Sequence, residues 1–214
     1  MNEAEGRFTV LRQSADSAAV NAIEHLVREA IDRDLNRINV FDFAARYGVA
    51  EDRVVAAFLH ASRLGLFDMS WNLLCPGCGG VLDANATLKT VRKEVYNCAL
   101  CAAGYEATLD EMVEVTFTVN PRVRRIAAHD PHSLPLSEYM RQIFWGSGLG
   151  LPEDALESVL NAITLEAVEL PPGEKAILSL QLPAEFVIVF EPGTHAAQFI
   201  DVQGQATRER RDLA

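Results

Sequence analysis

Long hydrophobic runs are missing from this sequence. The most apolar stretch, Leu182–Phe190, is short and is interrupted by Pro183 and Glu185, so no segment predicts a transmembrane helix. The first residues, MNEAEGR, are acidic and polar, without the basic-then-apolar order of a secretory signal. The expectation is a cytoplasmic chain with no membrane attachment. Positive charge is also scarce: 19 Lys and Arg face 30 Asp and Glu, a formal net charge of −11. That argues against a partner held by phosphate neutralisation, so nucleic acid is not the expected ligand. The acidity is spread evenly, with no charged tail, internal repeat or low-complexity run. There is no phosphate-binding glycine loop, no GxSxG and no HExxH. No catalytic constellation is found, and the chain is not expected to be an enzyme.

What is present is an ordinary globular composition. The 214 residues, 49% hydrophobic and 23% charged, allow one large domain or two to three small modules. Val20, Ile23, Leu26, Val27, Ala30, Ile31 and Leu35 recur at helical spacing and predict a helix from Ser14 to about Leu35 with one buried face. Asn39 is placed to cap a short helix carrying Phe41, Phe43, Ala44 and Tyr47, which Gly48 closes. A further helix starts at Glu51 and Asp52 and is expected to bury Val54, Val55, Phe58 and Leu59. Gly65 ends it, and Leu66–Leu74 alternates as a strand. Helix, helix, tight turn, helix, strand is the order of a winged helix-turn-helix.

Met112–Val119 alternates Val113, Val115, Phe117 and Val119 with polar residues, the pattern of a half-buried strand. Residues 133–168 predict two helical pieces, broken by the glycine-rich run 146–152, with Pro152, Glu153 and Asp154 opening the second. Pro171-Pro172-Gly173 then leads into three short strands, Ala176–Leu182, Glu185–Phe190 and Ala197–Val202. Three such strands leave a sheet edge open, which predicts self-association through this segment. The expected fold is therefore α+β: a winged-helix-like domain over 1–72, a zinc ribbon over 73–120, a helical connector over 121–170 and an incomplete β segment over 171–214.

Chemistry concentrates in four cysteines. Cys75-Pro-Gly-Cys78 and Cys98-Ala-Leu-Cys101 are two CxxC pairs separated by 19 residues. Each pair supplies two thiolates from one tight turn, and together they make the tetrahedral, all-sulfur set of one structural Zn²⁺ ion. Gly79 and Gly80 give the turn its freedom. Two disulfides would need an oxidising compartment, and a redox CxxC would open a helix after a strand. An iron–sulfur cluster or ferrous iron is the remaining option for four thiolates, but the Cys-Pro-x-Cys-Gly turn in a β context favours zinc.

His60 and His129 lie outside the ribbon and supply no fifth ligand. His129 and His132, flanking Asp130-Pro131, and His195 read as loop histidines without a role. Arg122, Arg124 and Arg125 read as a solvated face, and Trp71 and Trp145 as core residues.

Around these cysteines the chain resembles a known bacterial region. The carriers are Trp71-x-x-Leu74-Cys75-Pro76-x-Cys78, Cys98-x-x-Cys101 and Leu109-Asp110-Glu111-x-Val113-Glu114-Val115-Thr116-Phe117. Leu64-Gly65-Leu66 and the run from Leu170-Pro-Pro-Gly-Glu174 to Leu182-Pro183 add to them. The resemblance is to the N-terminal region that precedes the catalytic domain in certain bacterial class III adenylate/guanylate cyclases. It covers roughly residues 40–205 and is most specific over 64–118. It implies a regulatory or sensory module whose partner is a downstream cyclase domain or another protein. The cyclase domain itself, with its metal-binding aspartates, is absent from this sequence, so cyclase activity is not expected.

A winged helix followed by a zinc ribbon in an acidic protein is also similar to the large subunit of transcription initiation factor E. That implies the alternative of a transcription regulator contacting polymerase or DNA. Against direct DNA contact, the candidate recognition helix exposes only Arg53, Ala56, Ala57, His60 and Arg63, with Glu51 and Asp52 at the end that would enter the groove.

Overall fold

The computed structural model describes residues 3–86, 95–98, 100–101, 103–106, 112–152, 155–179, 185–191 and 196–202. It is a mixed α+β chain. Helices α1 (Glu3–Ser14), α2 (Ser17–Glu29), α3 (Val40–Tyr47) and α4 (Glu51–Arg63) lead into strand β1 (Phe67–Leu74).

Each helix boundary has a local cause. The Asp16 carboxylate accepts from the N–H groups of Ala18 and Ala19 and starts α2. The Ala19 N–H, with that of Ala18 and the nearby Arg53, holds the Asp16 carboxyl below its ordinary range against the opposing pull of desolvation. Asn39 caps α3 through the Phe41 and Asp42 N–H groups, and Gly48 ends it at φ 64°. In α4 the buried residues are Val54, Ala57, Phe58 and Ala61, spaced i, i+3, i+4, i+7.

Three details correct the sequence expectations here. Leu59 is 43% exposed while Ala57 is fully buried, because the stripe is centred on the small residues that let α4 lie close to its neighbours. The helix from Ser17 stops at Glu29. A 3₁₀ turn over Asp32–Leu35 then carries Leu35 inward and leaves Ile31 62% exposed. Helix α1 was not anticipated, because only Phe8 and Leu11 among its described side chains are buried.

Strand β1 is the centre of an antiparallel sheet in the order β2-β1-β5, with β2 at Val81–Asn85 and β5 at Val113–Val119. The β1–β5 register runs from Phe67 opposite Val119 to Leu73 opposite Val113. Ile38 bridges to Phe117 on the far side of β5. The helices pack on this sheet around Phe58, whose ring lies 5.1–5.2 Å from those of Phe43, Phe67 and Phe117. Such aromatic contacts add to the area they bury.

A second, smaller core lies downstream. It is built by α5 (Leu136–Tyr139), a π-helical turn over Met140–Phe144 and α6 (Leu156–Ile163). Tyr139, Met140, Phe144, Leu156 and Leu160 are its buried residues, with Leu100, Trp145 and Phe190 packed against them. Phe190 comes from β6 (Glu185–Glu191), which pairs antiparallel with β7 (Ala196–Val202). The hairpin's docking is felt by Tyr139: burial, and then Glu191, push its phenol upward.

The expected strand at Ala176–Leu182 is not seen where it is described. Residues 176–179 are exposed and irregular, and the rest of that stretch lies outside the described residues. Glu153, Asp154 and His195 also lie outside them.

Polar bonds hold the two cores together. Arg37, in the left-handed region at φ 50°, donates from its guanidinium to the carbonyls of Ile143 and Trp145, both at 2.8 Å. It also pairs with Glu114. Glu114 in turn accepts from the Ser147 N–H and the Asn72 amide. Burial lowers the Arg37 pKa, and the Glu114 carboxylate opposes that shift.

Candidate metal centre

The four cysteines converge. At the end of β1 a register shift between Leu73 and Leu74 turns the chain into a tight loop. Cys75 N–H donates to Gly80 O (2.7 Å) and Gly79 N–H to Cys75 O (2.8 Å), with Gly79 at φ 69°. The second pair is set by β3 (Val95–Cys98) and β4 (Ala103–Glu106), in which Cys98 stands opposite Ala103. The Sγ atoms of all four lie within 4.8 Å of one another. Cys75 and Cys101 are 3.7 Å apart, Cys78 and Cys98 3.5 Å, and all four thiols are free.

Those separations suit a metal. A tetrahedron with ~2.3 Å metal–sulfur bonds has edges of about 3.8 Å, whereas a disulfide would bring two sulfurs to about 2.05 Å. Protonation states point the same way. Burial raises the Cys75 thiol, but the N–H groups of Cys78 and Gly77 and the thiols of Cys98 and Cys101 outweigh it, leaving it lowered to about 7. Burial and the neighbouring sulfurs push Cys78 and Cys101 upward. One thiolate is favoured, and further ones are opposed by crowding. A cation at the centre removes that conflict.

Tyr105 was not anticipated from sequence. A hydrogen bond to Cys75 pushes its phenol up to about 12, so it stays a donor. A Cβ on Gly77 would lie 3.0 Å from both the Tyr105 hydroxyl and Cys101 Sγ, so the turn needs glycine there for space.

The second core abuts the first turn. A Cβ on Gly80 would come within 3.0 Å of the Phe144 ring and 3.3 Å of Cys78 Sγ. Gly146 N–H donates to Gly79 O at 2.8 Å, and Gly80 bridges to Trp145. Leu100, inside the second cysteine pair, packs into the Phe144 core. Both turns therefore contact the connector, a relation between distant segments that no local pattern announces.

The other singled-out residues have structural partners. His129 accepts from the Ile126 N–H at Nδ1, and its Nε2 bonds Val119 O, so the ring staples β5 to the following turn. Arg124 donates to Val27 O and Asp32, which leaves no basic cluster with Arg122 and Arg125. Trp71 and Trp145 are half-buried; Trp71 stands between Asn85 and Val115 in the sheet. His132 is exposed. A polar cleft of ≈340 Å³ beside the glycine-rich loop is lined by Arg33, Arg37 and Arg46. These pair with Glu138, Glu114 and Asp34.

Among the described residues, the only cluster of metal-capable side chains is Cys75, Cys78, Cys98 and Cys101, and no helix is long and apolar enough to cross a membrane. The profile of a family of unknown function (DUF5939) matches residues 1–214, and the chain belongs to that family. No curated protein and no solved structure matches it.

Proposed function

We propose that this member of the DUF5939 family is a non-catalytic, cytoplasmic zinc-binding regulatory module that acts through protein contact. The observation that carries the reading is the four-thiol cluster, walled by backbone and by packed aromatic rings. All-sulfur tetrahedral sites are closed and structural, and zinc is the ion such a set most commonly takes. Zinc would fix the ribbon and, through Gly79, Gly80 and Leu100, the connector packed on it. The helices and the β2-β1-β5 sheet are then read as a winged-helix-like unit turned to a protein instead of nucleic acid. The resemblance to the region ahead of bacterial nucleotide cyclase domains supplies the partner class: a downstream cyclase domain or another regulatory protein. The β6–β7 hairpin, with Phe186 and Val189 exposed, is the place where a second copy could pair.

The order of helices, sheet and cysteine ribbon also keeps the second reading, a transcription regulator contacting polymerase or DNA. Two measurements separate them. Metal analysis of the purified chain should find about one zinc per chain, since four thiolates complete one site; a folded, metal-free chain indifferent to a strong chelator overturns the metal reading. Titration against duplex DNA at about 0.15 M salt should give no sub-micromolar binding; such binding with a steep salt slope favours the transcription reading.

A further inference from the structure

We propose that the polar cleft between the two cores binds a phosphate monoester of a small polyhydroxylated molecule, a sugar or polyol phosphate. The proposal deepens the regulatory reading by naming a class of signal, and rests on that reading only for the use made of binding. The cleft has a volume of ≈340 Å³ and lies where the turn before α3 meets the π-helical turn and the glycine-rich run. Small-molecule sites favour such junctions, and this volume is at the small end of their range. Four of the chain's 19 Lys and Arg line it, Arg33, Arg37, Arg46 and Arg141, against two carboxylates, Asp34 and Asp42. A chain of net charge −11 thus turns one concave surface positive.

The carboxylates that orient two of these groups stand outside the wall. Arg33 pairs with Glu138 at 2.8 Å and Arg37 with Glu114 at 3.5 Å, and neither glutamate lines the cleft. Arg141 is tied by a bond to Pro152 O at 2.8 Å. Arg46 is held least: its side chain is 60% exposed and stands 3.6 Å from Asp34, beyond hydrogen-bond length. Such a surface pair contributes little, so an incoming oxyanion can take Arg46 and leave Asp34 as an acceptor. The number of guanidinium groups selects phosphate. One arginine fork satisfies both oxygens of a carboxylate, whereas a phosphoryl dianion shares three terminal oxygens among several. Only a small ligand reaches Arg37, whose side chain is 12% exposed, and the acidity of the rest of the chain repels a polyanion.

Gln142 selects the rest of the ligand. It is 7% exposed, lines the cleft, and donates from Nε2 to Glu138 Oε2 at 2.6 Å. That bond fixes the amide, because the reversed orientation would set its oxygen against the carboxylate. Among the described residues, Gln142 Oε1 then has no hydrogen-bond partner. A buried acceptor left unpaired is costly. The phosphoryl dianion brings acceptors only, so the donor must come from the carbon skeleton. An ammonium in that place would sit among four guanidinium groups, which leaves a hydroxyl. Asp42, and Asp34 once Arg46 has turned, accept from further hydroxyls, while Trp145, Leu149 and Leu151 give the carbons an apolar wall. A polyol carries several such donors close together.

Titration calorimetry of the full chain, its metal content measured, tests this at about 0.15 M salt. The probes are glucose-6-phosphate, glycerol-3-phosphate, glucose and inorganic phosphate. At least one ester should bind tenfold or more tightly than inorganic phosphate, and glucose should not bind. Arg46→Ala, at an exposed position, should weaken ester binding at least tenfold, with Arg46→Lys in between. Gln142→Met should weaken the ester at least threefold and leave inorganic phosphate unchanged, a split that general loss of structure does not produce. A thermal melt verifies that each variant folds; where Gln142→Met does not, the two Arg46 variants carry the test. Equal affinity for the esters and inorganic phosphate marks an adventitious ion only and overturns the proposal. So does glucose binding as tightly as its phosphate, or ester binding that Arg46→Ala or a folded Gln142→Met leaves intact. Ester binding by a chain that holds no zinc supports the cleft and removes the metal reading. A zinc-loaded chain that binds neither ester overturns the cleft and leaves the metal.

Discussion

The core around Phe58 draws buried apolar side chains from α1 through β5, with Phe43, Phe58, Phe67 and Phe117 in edge or tilted contact at its centre. The core around Phe144 has five buried residues and leans on the cysteine turns through Gly80 and Leu100. The first is continuous across four helices and the β1–β5 strands. The second falls in the size range where a small unit needs a staple. A metal on the four thiols at its edge would supply one. On the proposed zinc reading, the chain combines an N-terminal unit built on its own core with a C-terminal unit that an ion would order, and Arg37 joins the two.

Removing the metal should separate these units most sharply. A strong chelator, or Cys78→Ser, forfeits roughly 10–16 kcal/mol of apparent binding free energy. Amides of the cysteine turns and of α5 and α6 should then lose protection in hydrogen exchange while α2–α4 keep theirs. Retained protection at residues 139–163 would show that the Phe144 core stands alone.

Acid should act in the same direction, because protons compete with metal for thiolates. Cys75 is depressed to about 7, so its thiolate form dominates above that value. Its contribution is lost as pH falls through it. A chromogenic chelator should report faster zinc release at pH 5.5 than at pH 8, and a flat profile counts against thiolate ligation.

Phe58→Ala reverses the pattern. Truncating a fully buried ring at the centre of the first core should cost about 3–5 kcal/mol, read as a lower denaturation midpoint for the helical signal. Metal content should remain at one per chain. Arg37→Met acts on the junction, leaving Glu114 and the carbonyls of Ile143 and Trp145 without this donor, at a cost of about 3 kcal/mol. Calorimetry should then resolve two transitions where the parent shows more overlap; one sharp transition would argue that packing alone couples the cores. Asn39→Ala removes the α3 cap for about 1 kcal/mol, a small drop in melting temperature confined to the first unit.

What could be read from the sequence divides along the same line. Local chemistry was visible: the two CxxC turns, the Asn39 and Gly48 ends of α3, the alternation of β5 and the β6–β7 strands all depend on neighbours a few residues away. Three kinds of feature were not. Helix α1 has too few buried positions to show a period. The α4 stripe turned on whether alanines or leucines faced inward, which the packing partner decides. The Arg37–Glu114–Ser147 bonds, the Tyr105 hydroxyl on Cys75 and the Phe144 ring on Gly80 join residues far apart in sequence, and such pairs leave no periodic trace. Sequence thus located the four-cysteine cluster without revealing what surrounds it.

The pairing of Leu73 with Val113 has a topological result. Everything from residue 74 to residue 112 departs from one strand and returns beside it, so the whole cysteine-bearing stretch is an excursion from a β1–β5 hairpin. Its two feet are neighbours, and the cost of closing a loop rises only slowly with its length. Replacing that stretch by a two-residue Asn-Gly turn removes β2 but should leave the register of β1 and β5 intact, so that the first 73 residues and β5 still fold. In architectural terms the stretch is an insertion between two strands that are paired without it, and it lends their sheet a third strand, β2.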